Sequence, residues 1–121
     1  MIGRVFLISL ALTGTAHAGP EQEMKQQQQI ENQLKLKLEG QMRMTRKAYQ
    51  DVMGFISGAP INRDEQTKRL IDAEIEWDIF IEKICLLEGV ESINTQAERA
   101  NKLLCMIKRN KEKEEFYKSV F

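Results

Sequence analysis

The chain has 121 residues, with 18 basic side chains against 18 acidic ones and a net charge of zero. That length allows one small domain with a modest core, and that balance excludes a nucleic-acid binder or an acidic tail acting through bulk charge. The single histidine, His17, falls in an N-terminal leader, so the chain beyond it has no imidazole, which excludes Ser-His and Cys-His nucleophile systems and most zinc sites. The acidic residues are scattered over helical faces and no two stand out as a catalytic pair. The expectation is a non-enzymatic protein with no cofactor and no metal.

Residues 1–18, MIGRVFLISLALTGTAHA, place Arg4 before an apolar run from Val5 to Leu12, then Gly14 and Ala16-His17-Ala18. This is the order of a secretory signal peptide with an A-x-A cleavage site. The apolar run is far shorter than the roughly 20 residues that span a bilayer, so no stable membrane insertion is expected after cleavage. The mature chain, 19–121, is expected in the periplasm or secreted.

The first predicted helix covers 21–57, a stretch without proline and rich in Gln, Lys, Glu, Leu and Met. Ile30, Leu34, Leu38, Met42, Thr45, Tyr49, Val52 and Ile56 recur at steps of three and four, as one buried stripe requires. The glutamine run at 26–29 is expected to fray, and Ser57-Gly58-Ala59-Pro60 ends the helix.

The second helix is predicted over 63–88, opened by Asn62 and Glu65 at capping-box spacing with Asp64 as the rival cap, and stopped by Gly89. On a helical wheel Leu70, Ala73, Trp77, Phe80, Ile81, Ile84 and Leu87 form one broad core face. Trp77 reads as a core anchor rather than a ligand platform. Thr95 and Glu98 repeat the capping-box spacing, which starts a third helix over 96–118 with Ala97, Ala100, Leu104 and Ile107 as its stripe. The run KRNKEKEE beyond Ile107 reads as a solvated end. For the closing FYKSVF, docking on the bundle and lying free are both open.

No segment shows sustained period-two alternation. Three helices with short loops predict an all-α, antiparallel three-helix bundle forming a single domain. Cys85 and Cys105 flank the second loop, where an antiparallel hairpin sets them side by side, and an exporting route places them where an even pair closes. One structural disulfide is expected.

The second helix carries a further apolar set. Ile71, Ile75, Ile79 and Leu86 lie roughly opposite Trp77, where an outer bundle helix is ordinarily polar. Two readings are open: these residues pack on a neighbouring helix, or they form a face for a protein partner or for self-association into a homo-oligomer.

Glu74, Trp77, Phe80, Glu82 and Cys85, followed by a glycine-containing loop with Ser92 and by Cys105, resemble the LprI-like lysozyme-inhibitor family of small exported bacterial proteins. That family shows a glutamine, a tryptophan three residues on, an aromatic, an Arg-Asp pair and a cysteine eight residues after the tryptophan. Trp77 and Cys85 keep the spacing, Phe80 fits the aromatic, Tyr49 fits a first-helix tyrosine, and Lys113 falls where the family tends to have arginine. Glu74 replaces the glutamine, Ile81 the arginine and Glu82 the aspartate, and the first-helix cysteine is missing. The resemblance implies a helical, disulfide-tied fold and a protein that blocks a lysozyme cleft. Lysozymes are commonly basic, so an acidic rim on a protruding loop would serve, and Glu88, Glu91, Ser92 and Asn94 are the candidates. The same four also suit an ordinary interhelical loop. The alternative function is a periplasmic interaction or chaperone-like module acting through Ile75, Ile79 and Leu86.

Overall fold

The computed structural model describes residues 19–121, so the signal-peptide expectation lies outside the described residues. Helix α1 runs Gly19–Ser57, α2 Arg63–Glu88 and α3 Glu98–Ser119, with a short 3-10 turn at Val90–Ser92. No strand occurs among the described residues. At 1.5 Å per residue α1 is about 58 Å long, well beyond either partner.

The bundle runs up, down, up. Gln27 meets Gln96, Tyr49 meets Tyr117 and Phe55 meets Phe121, so α1 and α3 run parallel. Cys85 pairs with Cys105 while Glu74 meets Tyr117, so α2 runs antiparallel to α3. The α1–α3 interface is the most extensive of the three. The Cys85 and Cys105 sulfurs are bonded, with Cα atoms 5.6 Å apart. The bond pins the last turns of α2 to α3.

Helix ends depart from the capping expectations. Asn62 adopts a left-handed conformation, φ 61°, and its side chain caps nothing; its carbonyl instead accepts the Gln66 N–H at 2.9 Å. Asparagine tolerates that region better than most residues. Gly89 does end α2, but at φ −85°. Its value there is space, since a Cβ would lie 3.1 Å from the Cys85 carbonyl oxygen. Thr95 does not cap α3, because its hydroxyl donates to the Ser92 carbonyl at 2.7 Å. Glu98 reaches back to the Asn94 N–H at 3.1 Å instead of to Thr95.

Two apolar clusters form the core. Ala48, Val52, Ile56, Leu70 and Tyr117 make one, and Ile81, Cys85 and Cys105 make the other. Trp77 packs against both. Several expected core positions are corrected. Ile30, Met42, Phe80, Leu87 and Leu104 are exposed, as is Ala97, and Gln41 and Ala48 are buried in α1. The cause is the unequal sharing of surface: α1 and α3 bury mostly each other, so the inward arc of α2 is narrower than its apolar arc.

The polar run of α3 is not a solvated end. Asn110, Lys113 and Glu114 are buried, and the helix continues to Ser119 with Tyr117 only 1% exposed. The FYKSVF segment docks, with Phe121 stacked on Phe55 at 4.6 Å and Phe116 beside Trp77 at 5.4 Å. The glutamine run is helical, and Gln27 donates to the Gln96 carbonyl at 3.1 Å rather than fraying.

Candidate protein-binding surface

What faces outward on α2 is decided by what is held inward. Lys113 of α3, 4% exposed, donates to Glu74 Oε1 at 2.5 Å and to Asp78 Oδ1 at 2.9 Å. The Tyr117 hydroxyl donates to the other Glu74 oxygen. Burial, then the bond to Glu74, pushes the Tyr117 hydroxyl well above the ordinary phenol range. Tyr49, edge-on to Tyr117 with ring centroids 5.5 Å apart, is also raised, by burial first and by the Glu74 charge second. One ammonium and one phenol thus hold Glu74 against the core. With the disulfide one helical segment further on, they fix the rotation of α2.

That rotation turns Ile71, Ile75, Ile79 and Leu86 outward. Their exposures run from 41% for Ile79 to 58% for Leu86. Of the two readings left open by the sequence, packing on a neighbouring helix is not what these residues do among the described residues. Ile71, Ile75 and Ile79 stand one turn apart and form a single i±4 ridge. Lys68 and Glu82 are exposed on the same face, and neither joins an ion pair among the described residues.

The four loop candidates divide. The Glu88 carboxylate is held by Arg109, which also grips Glu112 at 2.9 Å, and these bonds raise the guanidinium pKa, Glu112 contributing more than Glu88. Ser92 is half-buried and its hydroxyl donates to the Gly89 carbonyl at 3.0 Å. Glu91 and Asn94 are exposed, Asn94 in a left-handed conformation at φ 63°. Three of the four candidates, Glu88, Glu91 and Asn94, are therefore exposed, Glu88 with its carboxylate already paired to Arg109.

Sequence reasoning placed Thr45 in the buried stripe but missed the polar spine it belongs to. Gln41 donates to Glu114 Oε1 at 2.9 Å and Thr45 donates to the Asn110 carbonyl at 3.0 Å, joining α1 to α3. The Glu114 carboxyl lies below the usual glutamate range, held there by Lys118 first and Gln41 second. Of the residues that carry the family resemblance, Tyr49, Glu74, Trp77, Cys85, Cys105 and Lys113 lie around the core and the Glu74 cluster, whereas Phe80 and Glu82 are exposed.

On the other flank of α2 an open groove of about 360 Å³ is lined by Ala73, Glu76, Trp77 and Phe80. Among the described residues no group of three or more His, Cys, Asp or Glu could hold a metal ion, and no helix is long and apolar enough to cross a membrane. No family model, curated protein or solved structure matches the chain.

Proposed function

We propose that this chain is an exported, non-enzymatic protein-binding module whose working surface is the Ile71–Leu86 face of α2. The observation that carries the reading is a ridge of three isoleucines kept in solvent on a helix whose rotation is locked by Glu74, Lys113 and the disulfide. Contiguous exposed apolar surface is costly to solubility and ordinarily marks a contact site. The signal-like leader supports export. The test is site-specific photo-crosslinking in cells making the full chain. A probe at Ile75 or Ile79 is expected to give discrete protein adducts that a probe at Lys37, exposed on α1, does not. Equal or absent adducts at both places would remove the reading.

A second reading is inhibition of a lysozyme through the loop after α2. It draws on the family resemblance and on the exposure of Glu91 and Asn94 in a loop tied down by the disulfide and by Arg109. Purified protein in molar excess should then slow peptidoglycan hydrolysis by a basic lysozyme, and Glu91→Lys should relieve it. Unchanged hydrolysis across several lysozyme types would end this reading.

A further inference from the structure

The middle of the outward face of α2 is palindromic, while further out Leu86, eleven residues beyond Ile75, has the acidic Asp64 as its counterpart. Ile75 is the centre of the palindrome: Ile71 and Ile79 stand four residues to either side, and Lys68 and Glu82 seven residues to either side. On a wheel of 100° per residue the five positions fall within an arc of about 80°. Lys68 and Glu82 lie about 10.5 Å along the axis from Ile75, in opposite directions. The ends of the ridge therefore carry opposite charges at equal distance from its middle.

We infer that the partner of this face is a second copy of the chain, docked antiparallel, α2 against α2, about a two-fold axis at Ile75. The inference rests on the α2 face being the binding surface and names what binds there. An isologous contact requires a patch complementary to itself. Antiparallel pairing sets Ile75 against the partner's Ile75, Ile71 against the partner's Ile79, and Lys68 against the partner's Glu82, each of the last two twice. Parallel pairing in register would instead oppose lysine to lysine and glutamate to glutamate. Two i±4 ridges cross at about 50°, which still leaves the long Lys68 and Glu82 side chains able to meet.

Asp72 faces the partner's Asp78 in this register, the like-charge opposition that the pattern contains. The Asp78 carboxylate is already held by Lys113 at 2.9 Å, which offsets its charge. A contact of one helix on one helix falls below about 1,200 Å² and so belongs with weak, transient associations. Its equilibrium is expected to be visible only at high protein concentration.

The experiment is sedimentation velocity on the mature chain over a dilution series reaching about 1 mM. The wild type should shift reversibly from monomer to dimer, and Ile75→Asp should weaken the dimer more than tenfold, about the loss expected for a charge in an apolar contact. Lys68→Glu and Glu82→Lys should each weaken it about fivefold, and the double swap should restore it, because the swap rebuilds both intermolecular pairs. All three positions are exposed, so helical content by circular dichroism should not change. A monomer throughout the series, or a double swap no tighter than the singles, overturns the inference. If the monomer still gives adducts from Ile75 in cells, the binding surface stands and only its occupant is wrong; if both fail, the surface itself is refuted.

Discussion

The Lys113 ammonium of α3 sits 2.5 Å from Glu74 Oε1 and 2.9 Å from Asp78 Oδ1 of α2, almost wholly shielded from water. Removing one partner from such a pair leaves an uncompensated charge, which costs more than the pair itself is worth. Because Asp78 is largely exposed and Glu74 partly so, their resolvation softens the loss, and Lys113→Met is expected to destabilise the fold by about 1–3 kcal/mol. Glu74→Gln keeps one carbonyl oxygen to accept from Lys113 and turns an amide N–H toward the Tyr117 hydroxyl, which can accept it, and should cost less. Urea unfolding followed by circular dichroism measures both, and equal midpoints for Lys113→Met and wild type would contradict the assigned role.

The Tyr117 hydroxyl gives the alkaline limb of stability a defined sign. Its folded pKa lies above the ordinary value of 10.0, so folding favours the protonated phenol. That stability is fully present below pH 10 and is lost progressively as pH rises above it. Tyr117→Phe should flatten this alkaline loss. It should also cost about 1–3 kcal/mol at neutral pH, because Glu74 is left with an unmatched oxygen. Melting temperatures recorded from pH 7 to 11.5 separate the two effects.

Glu114 acts at the other limb. Its folded pKa lies below 4.5, through its bonds to Lys118 and Gln41. Its contribution is present above the ordinary glutamate pKa and is lost as pH falls through the lower folded value. Gln41→Leu should shrink the stability lost between pH 5 and 2, measured as the acid-unfolding midpoint.

The disulfide closes a loop with a sequence separation of 20 residues. Such a closure stabilises by about 3 kcal/mol in the chain-entropy model. Cys85→Ala with Cys105→Ala should lower the melting temperature by about 12–24 °C, at about 4–8 °C for each kcal/mol in a domain of this size, and reductant should have the same effect on the wild type and none on the variant.

Helices and their pairing were legible because they rest on strong local signals. The predicted 63–88 helix coincides with α2, and 21–57 and 96–118 fall within two residues of the observed bounds. Cys85 and Cys105 were legible because an antiparallel hairpin leaves them little choice. The burial of Gln41, Asn110, Lys113 and Glu114 was not, since a polar side chain on a helix looks solvated until its partner on another helix is known. Phe80 and Leu87 were misplaced for the converse reason: an apolar residue says it would bury, but not whether surface is left to bury it. The outward isoleucines were recognised as a second set, and only the packing of α1 on α3 determined that nothing among the described residues covers them.

Ile75→Asp should change the stability of the monomer by no more than about 0.5 kcal/mol, the range of ordinary surface substitutions, while weakening whatever contact the ridge makes. A large loss of stability in dilute solution would mean the residue is part of the core.

The most direct test of the outward ridge as a self-association face is a dilution series of isoleucine-methyl NMR spectra on the mature chain. The methyl signals of Ile71, Ile75 and Ile79 should shift or broaden together as concentration rises, while those of the buried Ile56 and Ile81 hold still. Signals at the ridge that stay constant up to about 1 mM, or changes centred instead on Ile93 in the loop, would contradict the account.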